Sequence, residues 1–247
     1  MLMACNTAEG MNLPSKATLP PVYSVTPFTM LDFPERTACI IWLSGCNMRC
    51  GYCHNPQIVK GGQRQSAAQI MEFLEKRQGL LDGVVLSGGE ATIHPNLPSF
   101  VRTIKEMGYA IKLDTNGTNP TVIKDFLDNR LLDYIALDYK APPQKFKKVT
   151  RIEKYEAFSE TLNMLCAQTT VPFEVRTTVH TDLMDEQDIL DIIDDLEKRN
   201  YQGTFYVQNF CSDNDRPTLG LLPPQKRTLD TGRLLTQGNF LIEFRNF

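Results

Sequence analysis

The chain has 247 residues, a length that one α/β barrel reaches undivided, and 42% of them are hydrophobic, enough for a sizeable core. A formal net charge of -3 and the lack of any long basic stretch exclude an extended nucleic-acid surface, so no nucleic-acid partner is expected. No apolar run approaches the ~20 residues that span a bilayer, and MLMACNTAEGMNLPSK has neither the basic nor the apolar region of an export signal. The expectation is a cytoplasmic protein with no membrane partner and with its seven cysteines reduced or metal-bound.

Residues 1–21 read as a loose tail. YSVTPFTMLDFPE (23–35) reads as a short strand or hairpin leading into TACIIWLS (37–44), a buried strand rich in β-branched and aromatic residues. The cysteine-rich loop GCNMRCGYCHNP (45–56) follows directly. SAAQIMEFLEKRQ (66–78) has helical spacing with Ser66 as N-cap. GVVLSGGE (83–90) is a strand running into a glycine turn, 96–107 a helix, AIKLDTNG (110–117) a strand and turn, and 121–129 a helix. DYIALDYK (133–140), FEVRTTVH (173–180) and TFYVQNF (204–210) read as strands, separated by helices over 154–167 and 186–199. Lys140, Lys145, Lys147 and Lys148 read as a solvated basic loop. This alternation predicts a parallel sheet with right-handed crossovers. Six units are too few for a closed eight-unit barrel and leave two architectures, an open partial barrel or a doubly wound sheet. Residues 211–247, with Asp213, Asp215 and the Pro223-Pro224 break, read as a C-terminal extension, either a docking segment or a cap.

The loop at 45–56 holds two overlapping cysteine patterns. Cys50-Gly51-Tyr52-Cys53-His54 spells C-x-x-C-H, the haem attachment pattern, but that reading leaves Cys46 unexplained and belongs to exported proteins. With Cys46 included the spacing is C-x3-C-x2-C, three thiols in one loop, suited to an iron–sulfur cluster or zinc. Four-cysteine zinc knuckles come as two spaced pairs, whereas Cys5, Cys39, Cys166 and Cys211 are isolated. Cys39 and Cys166 lie in apolar surroundings and read as small core residues. Polar groups recur where the other strands end, the place where parallel α/β folds gather their chemistry. These are Ser87-Gly88-Gly89-Glu90; Lys112, Asp114 and Asn116 on one face; Asp138 and Lys140; Glu174, Arg176, Thr178 and His180; and Gln208. His180 reads as a strand-end histidine satisfied by a neighbour.

Cys46, Cys50, Tyr52 and Cys53 form C-x3-C-x-aromatic-C, and with SGGE and DTNG in order they resemble the radical S-adenosylmethionine (SAM) superfamily from about residue 22 to 210. The resemblance implies a partial (β/α)6 TIM-like barrel, open on one side. It also implies a [4Fe–4S] cluster on Cys46, Cys50 and Cys53, with the fourth iron left for SAM. On the same ground Glu90 would accept the SAM ammonium, Gly88 and Gly89 would let the backbone approach its methionine part, and Ser87 of the same turn would belong to the cofactor site. Asp114 and Asn116 would bind the ribose, and Arg176 the carboxylate, with Asp138 beside it. Tyr52 and the backbone at His54 would meet the adenine, and Gln208 would add a last polar contact. For Arg176 an ion pair with Glu174 or Asp138 is the structural alternative. No catalytic residue is expected beyond the cluster and SAM.

Within the superfamily, CHNP and DTNG resemble the glycyl-radical-enzyme activases, and TMLDFPERTACIIWLSGCNMRCGYCHNP most resembles activating proteins of anaerobic ribonucleoside-triphosphate reductase. Pyruvate formate-lyase activases share much of the pattern. The resemblance implies a glycyl-radical enzyme as partner, anaerobic ribonucleotide reductase first, and a flavodoxin-like or other electron donor. No cysteine lies between Cys53 and Cys166, so no auxiliary cluster is expected. The other enzyme reading is a radical SAM enzyme acting on a small molecule, such as a 7-carboxy-7-deazaguanine synthase. A ferredoxin-like carrier needs four cysteines per cluster and neither SGGE nor DTNG.

Overall fold

Val22–Thr29 (β1) runs antiparallel to Ala38–Leu43 (β2), and from β2 onward every strand is parallel to the last. The computed structural model describes residues 19–211, 218–220, 222–234 and 240–247. The parallel strands are β2, Gly83–Gly88 (β3), Ala110–Thr115 (β4), Tyr134–Asp138 (β5), Phe173–Val179 (β6), Thr204–Asn209 (β7) and Leu241–Arg245 (β8). They lie side by side in chain order, β1 at one end and β8 at the other, and the two ends do not pair. The sheet is an open, partial barrel.

Each parallel step needs a crossover, and short helices supply most of them. Pro56–Val59 (α1) and Ala67–Glu75 (α2) link β2 to β3. Ser66 caps α2 as expected, its hydroxyl accepting from Gln69 N while the Gln69 side chain accepts from Ser66 N. Leu97–Glu106 (α3), Pro120–Asp128 (α4), Pro143–Thr150 (α5), Tyr155–Ala167 (α6) and Glu186–Lys198 (α7) serve the later steps. The α4, α5 and α3 starts carry proline in the first turn, where its missing N–H costs nothing.

Strand alternation divides the core into two layers. Outward residues such as Ile41, Leu86, Leu113, Leu137 and Val207 pack against helix residues including Leu74, Ile104, Phe126, Leu162 and Ile192. The inward face at the N-terminal ends of the strands is filled by Ala38, Ile40, Val85 and Ala110, with Phe33 closing the bottom. A Cβ on Gly83 would lie 2.8 Å from the Phe33 ring, so that glycine is what lets the plug seat. With the bottom packed, the inward face is open only toward the carboxyl ends of the strands.

Two parts of the chain depart from the sequence reading. The basic stretch around Lys145–Lys148 is helix α5 rather than a loop, with Lys145 paired to Asp188 at 2.5 Å. Residues 241–245 add a seventh parallel strand to the six expected, its Ile242 and Phe244 packed on the core. Asp213, Asp215 and residues 1–18 of the expected tail lie outside the described residues. Leu19 packs on the core and Pro21 O accepts from Ser44 N. Cys39 is buried in the core and Cys166 partly buried against it, as expected. No described helix is long and apolar enough to cross a membrane.

Candidate functional site

Strand β2 ends in the cysteine loop, and three tight contacts fix where that loop goes. Gly45 N donates to Ile58 O, Arg49 N to Thr150 O, and Cys53 N to Cys50 O. Above it sits the SGGE turn of β3. Gly89 N donates to Leu43 O and Glu90 N to Gly45 O, both at 2.8–2.9 Å. A Cβ on Gly89 would fall 1.8 Å from Gly45 O, and Gly88 has a φ of +125° with Leu43 O at 2.3 Å from its would-be Cβ. Only glycines allow this approach.

Glu90 then ties the β4 turn to both. Its buried carboxylate accepts from Thr92 N, Thr92 Oγ1 and Thr115 Oγ1 on one oxygen and from Asn116 N at 2.7 Å on the other. Burial pushes the Glu90 carboxyl up, and these donors work against it. The second oxygen keeps an acceptor position for a further donor, such as an ammonium. Asn116 in turn donates to Asn47 Oδ1 at 2.8 Å, and Asn47 donates to Thr118 Oγ1. Three motifs separated by dozens of residues are thus knitted by one carboxylate and one pair of amides.

The resulting cavity is lined by Cys46, Cys50, Cys53, Tyr52 and His54 from the loop and by Ser87, Gly88, Gly89 and Glu90 from β3. Asp114 and Asn116 from β4, Asp138 from β5 and Arg176 from β6 complete it. Gln208 is not among the lining residues; it stands behind Thr178, at 3.5 Å from Thr178 Oγ1. His180 lies outside the cavity, fully buried. Its Nδ1 accepts from Asp182 N, so Nε2 bears the hydrogen and donates to Pro223 O at 3.0 Å.

Sequence reasoning counted Lys140 and Thr178 among the strand-end polar groups without giving them a site role, and passed over Trp42 and Asn47. Lys140 lines the cavity with its ammonium 3.1 Å from Asp138, so it is no solvated loop residue; its alternation with Asp138 on one strand was the available signal. Trp42 also lines the cavity and is oriented by its indole N–H donating to Thr26.

The inward polar residues form a balanced network of three cations, Lys112, Lys140 and Arg176, and three carboxylates, Asp114, Asp138 and Glu174. Lys112 meets Asp114 at 2.7 Å, and Ser87 donates to the other Asp114 oxygen. Arg176 Nε reaches Asp138 at 3.1 Å, with Asp114 and Glu174 at 3.7 and 3.8 Å. Arg176 is therefore an ion-paired guanidinium that also borders the cavity. Burial works to raise the Asp138 carboxyl, but Arg176 and Lys140 outweigh it and hold it below its ordinary value.

Burial pushes the Cys46 thiol up to about 12 and raises Cys50 as well, with Lys140 opposing both. Met48 N points at Cys46 Sγ from 3.3 Å, a donor for a thiolate. No three His, Cys, Asp or Glu side chains among the described residues converge to hold a single metal ion. A cube of four irons needs no such convergence, because each thiolate takes a different iron. Three shielded thiols, a backbone donor aimed at sulfur and a nearby ammonium fit an anionic iron–sulfur cluster.

The C-terminal segment braces this loop from outside. Leu219 N donates to Cys53 O and Gly220 N to Gly51 O. A Cβ on Gly220 would sit 2.6 Å from Gly51 Cα, and Leu222 packs on Gly51. The segment is anchored by His180 to Pro223, and by Arg227, which forks onto Glu186 at 2.6 and 3.0 Å. Phe210 stacks on His54 at 4.9 Å and tilts against His180.

The sequence profile of the radical SAM superfamily matches residues 40–198, which takes in the cysteine loop and every strand from β2 to β6 in the part matched. The chain belongs to the radical SAM superfamily. It therefore uses a [4Fe–4S] cluster and SAM, the pair that the site chemistry fits. A putative glycyl-radical enzyme activating enzyme of Methanocaldococcus jannaschii is 34% identical over 180 residues, 69% of this chain and 73% of that protein. The pyruvate formate-lyase-activating enzyme of Clostridium pasteurianum is 30% identical over 127 residues, 48% of this chain and 52% of that protein. Among solved structures, Streptococcus suis SuiB bound to precursor peptide SuiA superposes with a TM-score of 0.61 at 13% identity, over 83% of this chain and 48% of that one. That likeness concerns the fold. Against SuiB and the Clostridium protein, the radical SAM chain spans about half of the other's length.

Proposed function

We propose that this radical SAM protein is an activase that installs a glycyl radical on anaerobic ribonucleotide reductase. The observation that carries the activase part is the 34% identity to an archaeal protein named as a glycyl-radical enzyme activating enzyme, extending over 69% of the chain. The reductase as target rests on TMLDFPERTACIIWLSGCNMRCGYCHNP. When bound, the cluster and SAM supply reductive cleavage of the sulfur–C5′ bond, yielding methionine and a 5′-deoxyadenosyl radical that takes a glycine Cα hydrogen.

The chain's own residues prepare that chemistry. Cys46, Cys50 and Cys53 hold three irons. Glu90, with its remaining acceptor position, takes the SAM ammonium, and Gly88 and Gly89 let the methionine part approach the backbone. Asp114 accepts from the ribose, its position held by Lys112 and Ser87. Asn116 contributes by holding the cysteine loop through Asn47. Arg176 and Lys140 offer cations to the SAM carboxylate, and Tyr52 closes the adenine side. Gln208 acts through Thr178. A flavodoxin-like or other electron donor would supply the electron.

The test is anaerobic incubation of the reconstituted protein with the reductase, SAM and dithionite. A glycine-centred radical should appear by electron paramagnetic resonance, with one 5′-deoxyadenosine formed per radical. SAM cleavage stimulated by a small metabolite and by no glycyl-radical protein would overturn the reading.

A further inference from the structure

Strands β6, β7 and β8 carry the inward face of the sheet from the cavity to the open edge. Register partners on neighbouring parallel strands stand side by side on one face. Thr178 is opposite Gln208, and Gln208 is opposite Arg245. One pleat lower, Arg176, Tyr206 and Glu243 make a second row. Each row begins at a cavity-lining residue, Thr178 or Arg176, and ends at an exposed one, Arg245 or Glu243. The rows interlock at the outer end, where the Arg245 guanidinium lies over the Tyr206 ring, 3.6 Å from its centroid. The outward residues Ile242 and Phe244 pack on the core, which fixes the register of β8 and leaves its inward side chains in the open.

We infer that this two-row wall is where an extended segment of the partner polypeptide lies as its target residue enters the cavity. The inference rests on the activase reading and adds the surface that recognises the partner. An extended chain offers an N–H and a C=O at every residue. The wall answers with an amide that both donates and accepts on Gln208, donors on Arg245, acceptors on Glu243 and an aromatic face on Tyr206. Three strands at about 4.8 Å spacing give a track of roughly 10 Å, the length of about three extended residues. A metabolite held within the cavity leaves the outer two strands unused. The opposite charges of Glu243 and Arg245 stand side by side at the outer end of the track, one at the end of each row, so a partner segment of complementary charge is favoured there.

The test compares the full reconstituted chain with Arg245→Glu and Glu243→Lys. One assay follows 5′-deoxyadenosine from SAM and dithionite without partner. The other follows the glycyl radical over a range of anaerobic ribonucleotide reductase concentrations. Neither residue lines the cavity, so iron content and partner-free cleavage should match the parent, while the KM for the reductase rises about tenfold. Glu243 makes no described hydrogen bond or ion pair, so Glu243→Lys carries the reading if loss of the Tyr206 contact unfolds the other variant. An unchanged KM overturns the wall and leaves the activase reading standing. A parent that cleaves SAM but forms no radical on any glycyl-radical protein overturns both.

Discussion

At the β2 end of the sheet the cysteine loop is held from every direction. The SGGE turn presses on it from above, Asn47 ties it to β4, and residues 218–220 cap its carbonyls from outside. At the β8 end the same inward face carries Leu241, Glu243 and Arg245, all exposed. On the proposed activase reading, the contrast follows from two tasks. A cluster and a reactive radical need exclusion of water and oxygen and a fixed geometry, whereas a macromolecular partner needs an accessible surface that is paid for by its own docking. The braced end should thus respond to small changes of packing, and the open end should tolerate substitution in everything but partner recognition.

The largest break is Cys46→Ala. It removes one of the three thiols proposed to bind iron, and reconstituted protein should lose the reduced-cluster resonance and its response to SAM. A SAM-sensitive signal that survives would reassign the ligand set. Glu90→Ala comes next. It leaves Asn116 N and the Thr92 and Thr115 hydroxyls without their acceptor, and costs about 1–3 kcal/mol in both folding stability and SAM affinity. Thermal unfolding and equilibrium SAM binding read the two losses, and iron content should stay near one cluster per chain.

Gly220→Val tests the brace. Its Cβ would press on Gly51, and overpacking of this kind costs about 1–3 kcal/mol. The cluster's visible absorbance should bleach faster in air than in the parent; equal rates would show that the contact does not protect it. A smaller effect is expected from acid. The hydrogen bond from Arg227 holds the Glu186 carboxyl down at about 2, against an ordinary 4.5. A depressed carboxylate adds stability above its ordinary value and loses it as the pH falls. The anchor is therefore complete above pH 4.5 and released as the pH falls through about 2. Protection of the amides in residues 222–230 of the metal-free chain, referred to the intrinsic exchange rate at each pH, should fall over that range further than it does in Glu186→Gln, which lacks the titrating group. Smallest of all, Glu243→Lys should change folding stability by no more than about 0.5 kcal/mol, as befits an exposed strand residue. A larger loss by chemical denaturation would mean that the β8 face is structural.

Legibility followed the range of the interactions. The seven strands from β1 to β7 and most helices announce themselves by local periodicity and caps, as Ser66 does for α2. Strand β8 was missed because LIEFR, with alternate charged residues, is short and, among the described residues, is flanked by no α-helix to mark it; only pairing with β7 makes it a strand. Helix α5 was hidden by its lysines, whose partners Asp188 and Glu153 lie elsewhere in the chain.

The sequence alone determined the three thiols, their spacing and the polar residues at the strand ends, because those are matters of residue type and of the two-residue repeat of a strand. It could not show that Asn116 serves Asn47, that Gln208 stands behind Thr178, or that Gly220 rests on Gly51. Those facts depend on which strands are neighbours and on how closely two backbones approach. The tertiary structure decides both, since the contacts join residues as far apart in the chain as Gly51 and Gly220, and no local pattern encodes a distance of that kind.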